Sequence, residues 1–166
     1  DYLWRVHNAV PAKGRIGIFD RSHYEDVLVV KVRGFAPAEA VEQRYGQINA
    51  FEKHLTENDV TIVKCMLNVG YEEQGIRLAE RLEEPHKLWK FNPEDLEDRK
   101  LWPEFMAAYE AAIARCSTRH APWYVIPSDS RTRRNAMIAR LVRGALEGMN
   151  LEWPSSKYKP GDFEIG

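Results

Sequence analysis

The sequence predicts an α/β layered fold built on a parallel sheet. Three short apolar runs read as buried strands: Ile16-Gly17-Ile18-Phe19, ending in Asp20; Thr61 to Leu67; and Trp123-Tyr124-Val125-Ile126, closed by Pro127. None alternates cleanly between apolar and polar residues, which is the pattern of parallel strands covered on both faces. Helical periodicities lie between the runs. Strands separated by helices imply right-handed β-α-β crossovers.

Each helix has its own signal. Ile48, Phe51 and Leu55 share one face, with Pro37 and Glu39 suited to the first turn. Glu72 and Glu73 suit the first turn of a second helix, which should stop before Pro85. Asn92-Pro93-Glu94-Asp95 reads as a helix start: cap, then proline, then acids on the helix dipole. Trp102, Phe105, Met106, Tyr109 and Ile113 make one apolar stripe, and Ile138, Leu141, Val142, Ala145 and Met149 make another. The stretch from Glu83 to Lys100 mixes charges of both signs around Trp89. It reads as an excursion from the core, either a lid or a plain surface hairpin of helices.

The composition bounds the rest. The chain has 166 residues, about one domain's worth, and its 24 Lys plus Arg against 25 Asp plus Glu give a net charge of −1. Bulk electrostatic binding to nucleic acid or an anionic membrane is therefore not expected. No apolar run reaches the roughly 20 residues of a membrane span, and no signal-peptide pattern opens the chain. Cys65 and Cys116 are too few for a disulfide framework and lack metal spacing, so a cytoplasmic location is the expectation. Cys65, inside an apolar run, reads as core. The five histidines are scattered without metal-ligand spacing. No repeat or low-complexity segment interrupts the single domain.

Three places carry candidate chemistry. An apolar strand ending in Asp20 would put a carboxylate at the carboxyl edge of the sheet, where open α/β sheets bind ligands. Such a carboxylate can hold Mg²⁺, and Arg21 beside it can meet phosphate oxygens as a bidentate fork. The residues alone leave open that Asp20 caps a helix and Arg21 is a surface charge. The second place is the helix start after Trp123 to Pro127. Arg131, Arg133, Arg134, Arg140 and Arg143 fall between Ser130 and Leu146 without an acid. Cations at a helix N-terminus oppose the dipole, and a bound anion would offset that; a solvated basic face is the alternative. The third is the excursion. Arg77 and Arg81 share a helix face, and Lys87, Lys90 and Arg99 follow, yet residues 77–99 hold seven acids against five bases. Cations there could close over a polyanion, or simply pair with Glu80, Glu83 and Glu84.

One absence is informative: no G-x-x-x-x-G-K-[ST] phosphate loop occurs in the sequence. Ser22 also lacks the G-x-S-x-G setting of an acyl-transfer nucleophile.

Taken together, the stretches Gly14 to Val30, Glu72-Glu73-Gln74, Arg77, Arg81, Pro85 to Phe91 and Ala121 to Asp129 resemble the family-2 polyphosphate kinases. The resemblance runs from Asp1 to about Gly148. It implies a P-loop kinase-like three-layer α/β/α fold with a parallel sheet and a helical lid at about 83–100. It also implies Mg²⁺-dependent phosphoryl transfer between inorganic polyphosphate and a nucleotide. On that resemblance Asp20 matches the Walker B carboxylate that positions metal, and Arg21 the arginine beside it. Glu25 falls where some subclasses carry Asn. The run Ser22 to Leu28 looks like the subclass accepting AMP and ADP. Arg77, Arg81, Lys87 and Lys90 match lid and phosphate-binding positions. Arg131 stands where the family usually has Lys, which keeps charge but changes geometry, and Arg134 matches an Arg. Asn68-Val69-Gly70 departs from the usual His-Ile-Ser.

The family's first strand and Walker A loop would precede Asp1. The chain is therefore expected to be a partial domain with negligible turnover by itself, and the intact protein is expected to form a homo-oligomer. Two other readings stay open. One is an ATP-dependent, thymidylate-like nucleoside monophosphate kinase. The other is a non-catalytic polyanion-binding module. Nucleic-acid binding through Arg131 to Arg143 is disfavoured by the net charge.

Overall fold

A computed structural model describes residues 2–164; Asp1, Ile165 and Gly166 lie outside that range. The chain is α/β with a parallel sheet. In order come α1 (Leu3–His7), a 3₁₀ turn (His23–Val27), α2 (Val29–Val32), α3 (Ala38–Glu57) and β1 (Lys64–Asn68). Then follow α4 (Tyr71–Glu83), a second 3₁₀ turn (Leu88–Lys90), α5 (Glu94–Lys100), α6 (Trp102–Cys116), β2 (Trp123–Pro127) and α7 (Arg131–Gly148). β1 and β2 pair in parallel, from Lys64 opposite Trp123 to Asn68 opposite Pro127. The connection between them carries α4, α5 and α6, the crossover that the alternation of strand and helix implied.

Local chemistry explains the element boundaries. α4 starts with Glu72 and Glu73 in its first turn and ends before Pro85. The Asn92 side chain accepts from the Glu94 backbone N–H at 3.1 Å, and acids fill the first turn of α5. Ser130 caps α7, accepting from the Arg133 N–H at 3.4 Å. The core joins Tyr24, Val27 and Leu28 to Val41, Tyr45 and Ile48 of α3 and to Ala108, Ala112 and Cys116 of α6. Small residues on α6 allow close approach of its neighbours, and Tyr24 and Tyr45 fill the space.

Three expectations need correction. Residues 16–19 form no strand: the segment is extended but unpaired, with Ile16 71% and Ile18 93% exposed. A strand needs a neighbour to satisfy its backbone groups, and the two strands present pair with each other instead. Second, the strands are not covered on both faces; Leu67, Tyr124 and Val125 are exposed. α7 has no fully buried residue, so its stripe from Ile138 to Ala145 is half open to solvent. Third, Cys65 is only half-buried, and it is Cys116 that lies in the core.

Candidate functional site at the carboxyl edge

The parallel pairing places Asn68 and Pro127 side by side at the carboxyl edge, and the Ser128 N–H extends the ladder to the Asn68 carbonyl at 2.8 Å. Two helix starts meet there, α4 after Gly70 and α7 after Ser130. Asp129 links them, its carboxylate accepting from the Gly70 N–H at 2.7 Å. A Cβ on Gly70 would come within 3.3 Å of that carboxylate, so the small residue permits the contact. Ser128 is fully buried and donates to the Ile126 carbonyl at 2.8 Å.

Arg77 completes this edge. Its Nη2 donates to the carbonyls of Ser128 and Asp129 at 2.8 and 2.9 Å, and its Nε to Glu73 at 2.7 Å. The predicted phosphate ligand is thus engaged with the chain's own backbone. Arg131 opens α7, its side chain exposed and with no hydrogen bond or ion pair among the described residues. Arg134 reaches only the side chain of Asn135, at 2.9 and 3.0 Å.

The other predicted cations sit around residues 83–100. Arg81 pairs with Asp95 at 2.8 Å. Lys87 pairs with Glu84 at 2.7 Å and Glu80 at 3.2 Å, so Glu84 is held below the usual carboxylate range and Lys87 above the usual ammonium range by their mutual hydrogen bond. The Lys90 ammonium lies 5.0 Å from the centre of the Trp89 ring, which is 78% exposed. Arg99 donates to the Tyr71 carbonyl and to Gln74, both at 2.6 Å, and stacks 3.5 Å from the Tyr71 ring centre. Arg33 bonds Asp98. The excursion is fastened to α4 and to the end of α2.

Asp20 and Arg21 end the exposed, unpaired segment, and neither makes a hydrogen bond or ion pair among the described residues. Arg21 adopts a positive φ of 68°, unusual for a side-chain-bearing residue. Directly after it the backbone becomes tightly held. The Ser22 side chain accepts from the Tyr24 N–H at 3.3 Å, and Arg44 donates to the Asp26 carbonyl at 2.8 Å. Glu25 is half-buried in this turn. Tyr109 of α6 is electrostatically close to both Glu25 and Arg21; burial pushes its hydroxyl up, with Glu25 adding to the effect.

Asp20 fits a Mg²⁺ role on its chemistry. It is a free carboxylate, and Mg²⁺ commonly uses one or two carboxylates with phosphate oxygens and waters. Among the described residues no group of three or more His, Cys, Asp and Glu side chains forms a ready metal cage.

Sequence patterns missed one feature altogether. Glu52 is fully buried on α3, and Lys64 is buried at the start of β1. Lys64 donates to Glu52 at 2.6 Å, to the Tyr24 hydroxyl at 2.8 Å and to the Cys116 carbonyl at 2.8 Å. Tyr24 donates to Glu52 at 2.8 Å, and the His23 ring nitrogen lies 3.2 Å from the same oxygen. The available signal was a charged residue on the buried side of a helical stripe, Glu52 beside Ile48, and a lysine inside an apolar run.

The model of the polyphosphate kinase 2 (PPK2) family matches residues 1–154. The chain belongs to the polyphosphate kinase 2 family. Within that family it is 49% identical, over 154 residues, to an AMP/ADP-polyphosphate phosphotransferase from Meiothermus ruber; the match covers 93% of this chain and 58% of the relative. It is 35% identical to an ADP-polyphosphate phosphotransferase from Rhodopseudomonas palustris, covering 94% of this chain and 58% of that protein. The crystal structure of polyphosphate kinase 2 from Arthrobacter aurescens superposes with a TM-score of 0.93 at 45% identity, over 96% of this chain and 56% of that one. The chain therefore spans somewhat more than half the length of these polyphosphate kinase 2 relatives. No helix among the described residues is long and apolar enough to cross a membrane.

Proposed function

We infer that this chain is the Walker B, lid and sheet-edge portion of a phosphotransferase that moves phosphate between inorganic polyphosphate and AMP or ADP. The observation that carries this reading is the family match across residues 1–154. The relatives named for AMP/ADP-polyphosphate and ADP-polyphosphate phosphotransferase activity support the substrate class.

In this reading the residues divide the work. Asp20 would hold Mg²⁺, which when bound supplies positive charge to phosphate oxygens. Arg21 and Arg131, both exposed, are available to bind phosphates. Glu25, in the turn that follows and beside Tyr109, would act with Asp20 and Arg21 in the catalytic group. Arg81, Lys87 and Lys90 line a lid at about 83–100 and would exchange their present partners for the polyanion. Arg134 adds positive charge at the start of α7. Arg77 holds the 128–131 loop in place for these groups. Catalysis is then mostly positioning and charge neutralisation. We further propose homo-oligomer assembly, supported by the uncovered apolar surface of β2 and α7, and a reducing cytoplasmic location, supported by two unpaired cysteines.

Donor preference tests the reading. The 166-residue chain and the product of its whole gene are incubated with Mg²⁺, AMP or ADP, and either polyphosphate or ATP as donor. Polyphosphate-dependent phosphorylation by the gene product supports the proposal. ATP as sole effective donor points to a nucleoside monophosphate kinase, and polyphosphate binding by the whole gene product without turnover points to a polyanion-binding module. The 166 residues alone, without a Walker A sequence, are expected to show negligible turnover.

A further inference from the structure

Asp20 and Arg21 run directly into the turn His23–Val27, so whatever holds that turn bears on where they lie. That turn is held through its side chains. His23 and Tyr24 both converge on one oxygen of Glu52, at 3.2 and 2.8 Å, and Lys64 bonds the other oxygen at 2.6 Å and the Tyr24 hydroxyl at 2.8 Å. Lys64 also reaches the last residue of α6 through the Cys116 carbonyl. A single carboxylate and a single ammonium thus couple the turn to α3, β1 and α6.

Burial of both charges is costly, and a well-packed apolar replacement is often equally stable. Hydrogen bonds add what an apolar core lacks, namely direction. We propose that Glu52 and Lys64 are positioning residues: through Tyr24 and His23 they fix the turn 23–27 and so set the place of Asp20, Arg21 and Glu25 for binding polyphosphate. The proposal rests on the polyphosphate reading above for its ligand, and on the hydrogen-bond geometry alone for its positional part.

The test separates position from stability, and uses the full 166-residue chain. Variants Tyr24→Phe, Glu52→Gln and the double Glu52→Gln/Lys64→Met are compared with the parent in urea unfolding, in limited trypsin cleavage after Arg21 relative to cleavage after Arg133, and in polyphosphate affinity with Mg²⁺ by calorimetry. Tyr24→Phe keeps the ring and folds even where a charge change does not. Under folding conditions, Tyr24→Phe and Glu52→Gln are expected to raise the Arg21:Arg133 cleavage ratio by about fivefold, as a local opening does. They should weaken polyphosphate about tenfold. The double variant, which leaves no orphan charge, should recover the urea midpoint but neither the cleavage ratio nor the affinity. An unchanged cleavage ratio in the single variants, or recovery of that ratio by the double, overturns the positioning role. A parent chain that binds no polyphosphate overturns the choice of ligand, while the cleavage ratio still decides the positional claim.

Discussion

Arg77 on α4 reaches across the carboxyl edge of the sheet and donates to the main-chain carbonyl of Ser128 at 2.8 Å. The same guanidinium serves Asp129 and Glu73, so a planar fork meets three acceptors in fixed directions. A lysine ammonium cannot reproduce that set. Arg77→Lys and Arg77→Met should therefore both lower stability by about 2 kcal/mol, since hydrogen bonds to charged groups contribute on that order. Urea unfolding measures this. A loss of phosphate binding with full stability in Arg77→Met would show instead that Arg77 acts directly on the ligand.

Asp20 gives the opposite expectation. It is exposed and makes no hydrogen bond or ion pair among the described residues, so Asp20→Asn should shift stability by no more than about 0.5 kcal/mol. The Mg²⁺ dependence of polyphosphate binding should nevertheless largely vanish, because a neutral amide is a poor ligand for a hard cation. Calorimetry with and without Mg²⁺, alongside a thermal melt, reads both. Equal Mg²⁺ dependence in parent and variant would remove Asp20 from the metal role.

Much of this architecture was legible because local signals and tertiary packing agree. The Asn92-Pro93 start of α5, the acids opening α4 and the helix start after Pro127 all appear where the residue types place them. β1 and β2 emerged from apolar runs, displaced toward their carboxyl ends by up to three residues at β1. The run at 16–19 has the same composition but no strand beside it, and hydrophobicity along one segment says nothing about the presence of a neighbour. The candidate site was legible as a list of charges but not as a set of pairings. Arg77 reads as a phosphate ligand from its charge, yet its geometry makes it a brace. Glu52 and Lys64 each show as a charge out of place in an apolar pattern, but their pairing does not, because it arises only when α3 and β1 face each other.

The acids around the excursion predict a competition. Asp95 holds Arg81 at 2.8 Å, and Glu84 holds Lys87 at 2.7 Å. A polyanion that uses these cations must displace the carboxylates first. Asp95→Asn and Glu84→Gln should therefore tighten polyphosphate binding about threefold each at low salt, with little change in stability, as for exposed pairs generally. The gain should shrink as salt screens the added charge. Calorimetric titration across a salt series measures it. Unchanged affinity in both variants would mean that Arg81 and Lys87 stay out of the binding surface.

Alkaline stability follows from the buried hydroxyls and thiols. Burial, with smaller opposing and reinforcing charges from Arg44 and Asp26, pushes the Tyr2 hydroxyl up to about 12. Burial and the Glu52 carboxylate raise Tyr24, and burial raises Tyr109, Cys65 and Cys116. For each, the unfolded chain loses its proton at a lower pH than the folded one. Their contribution is complete below the unfolded values, 9.0 for the thiols and 10.0 for the phenols, and is lost as pH climbs through the folded ones. Lys64 works the other way. Burial lowers it below 10.5, so the unfolded state binds the extra proton and stability grows with pH until 10.5, then levels. Above 10.5 the Lys64 contribution has ended, and the tyrosines drive a steady fall. Urea midpoints measured between pH 8 and pH 12 should hold or decline gently to about 10.5 and then drop steeply. Tyr2→Phe should flatten the slope between about 10 and 12 without changing the midpoint at pH 8 by a comparable amount. An identical slope in that variant would mean that the Tyr2 hydroxyl titrates in the folded chain as it does in the unfolded one.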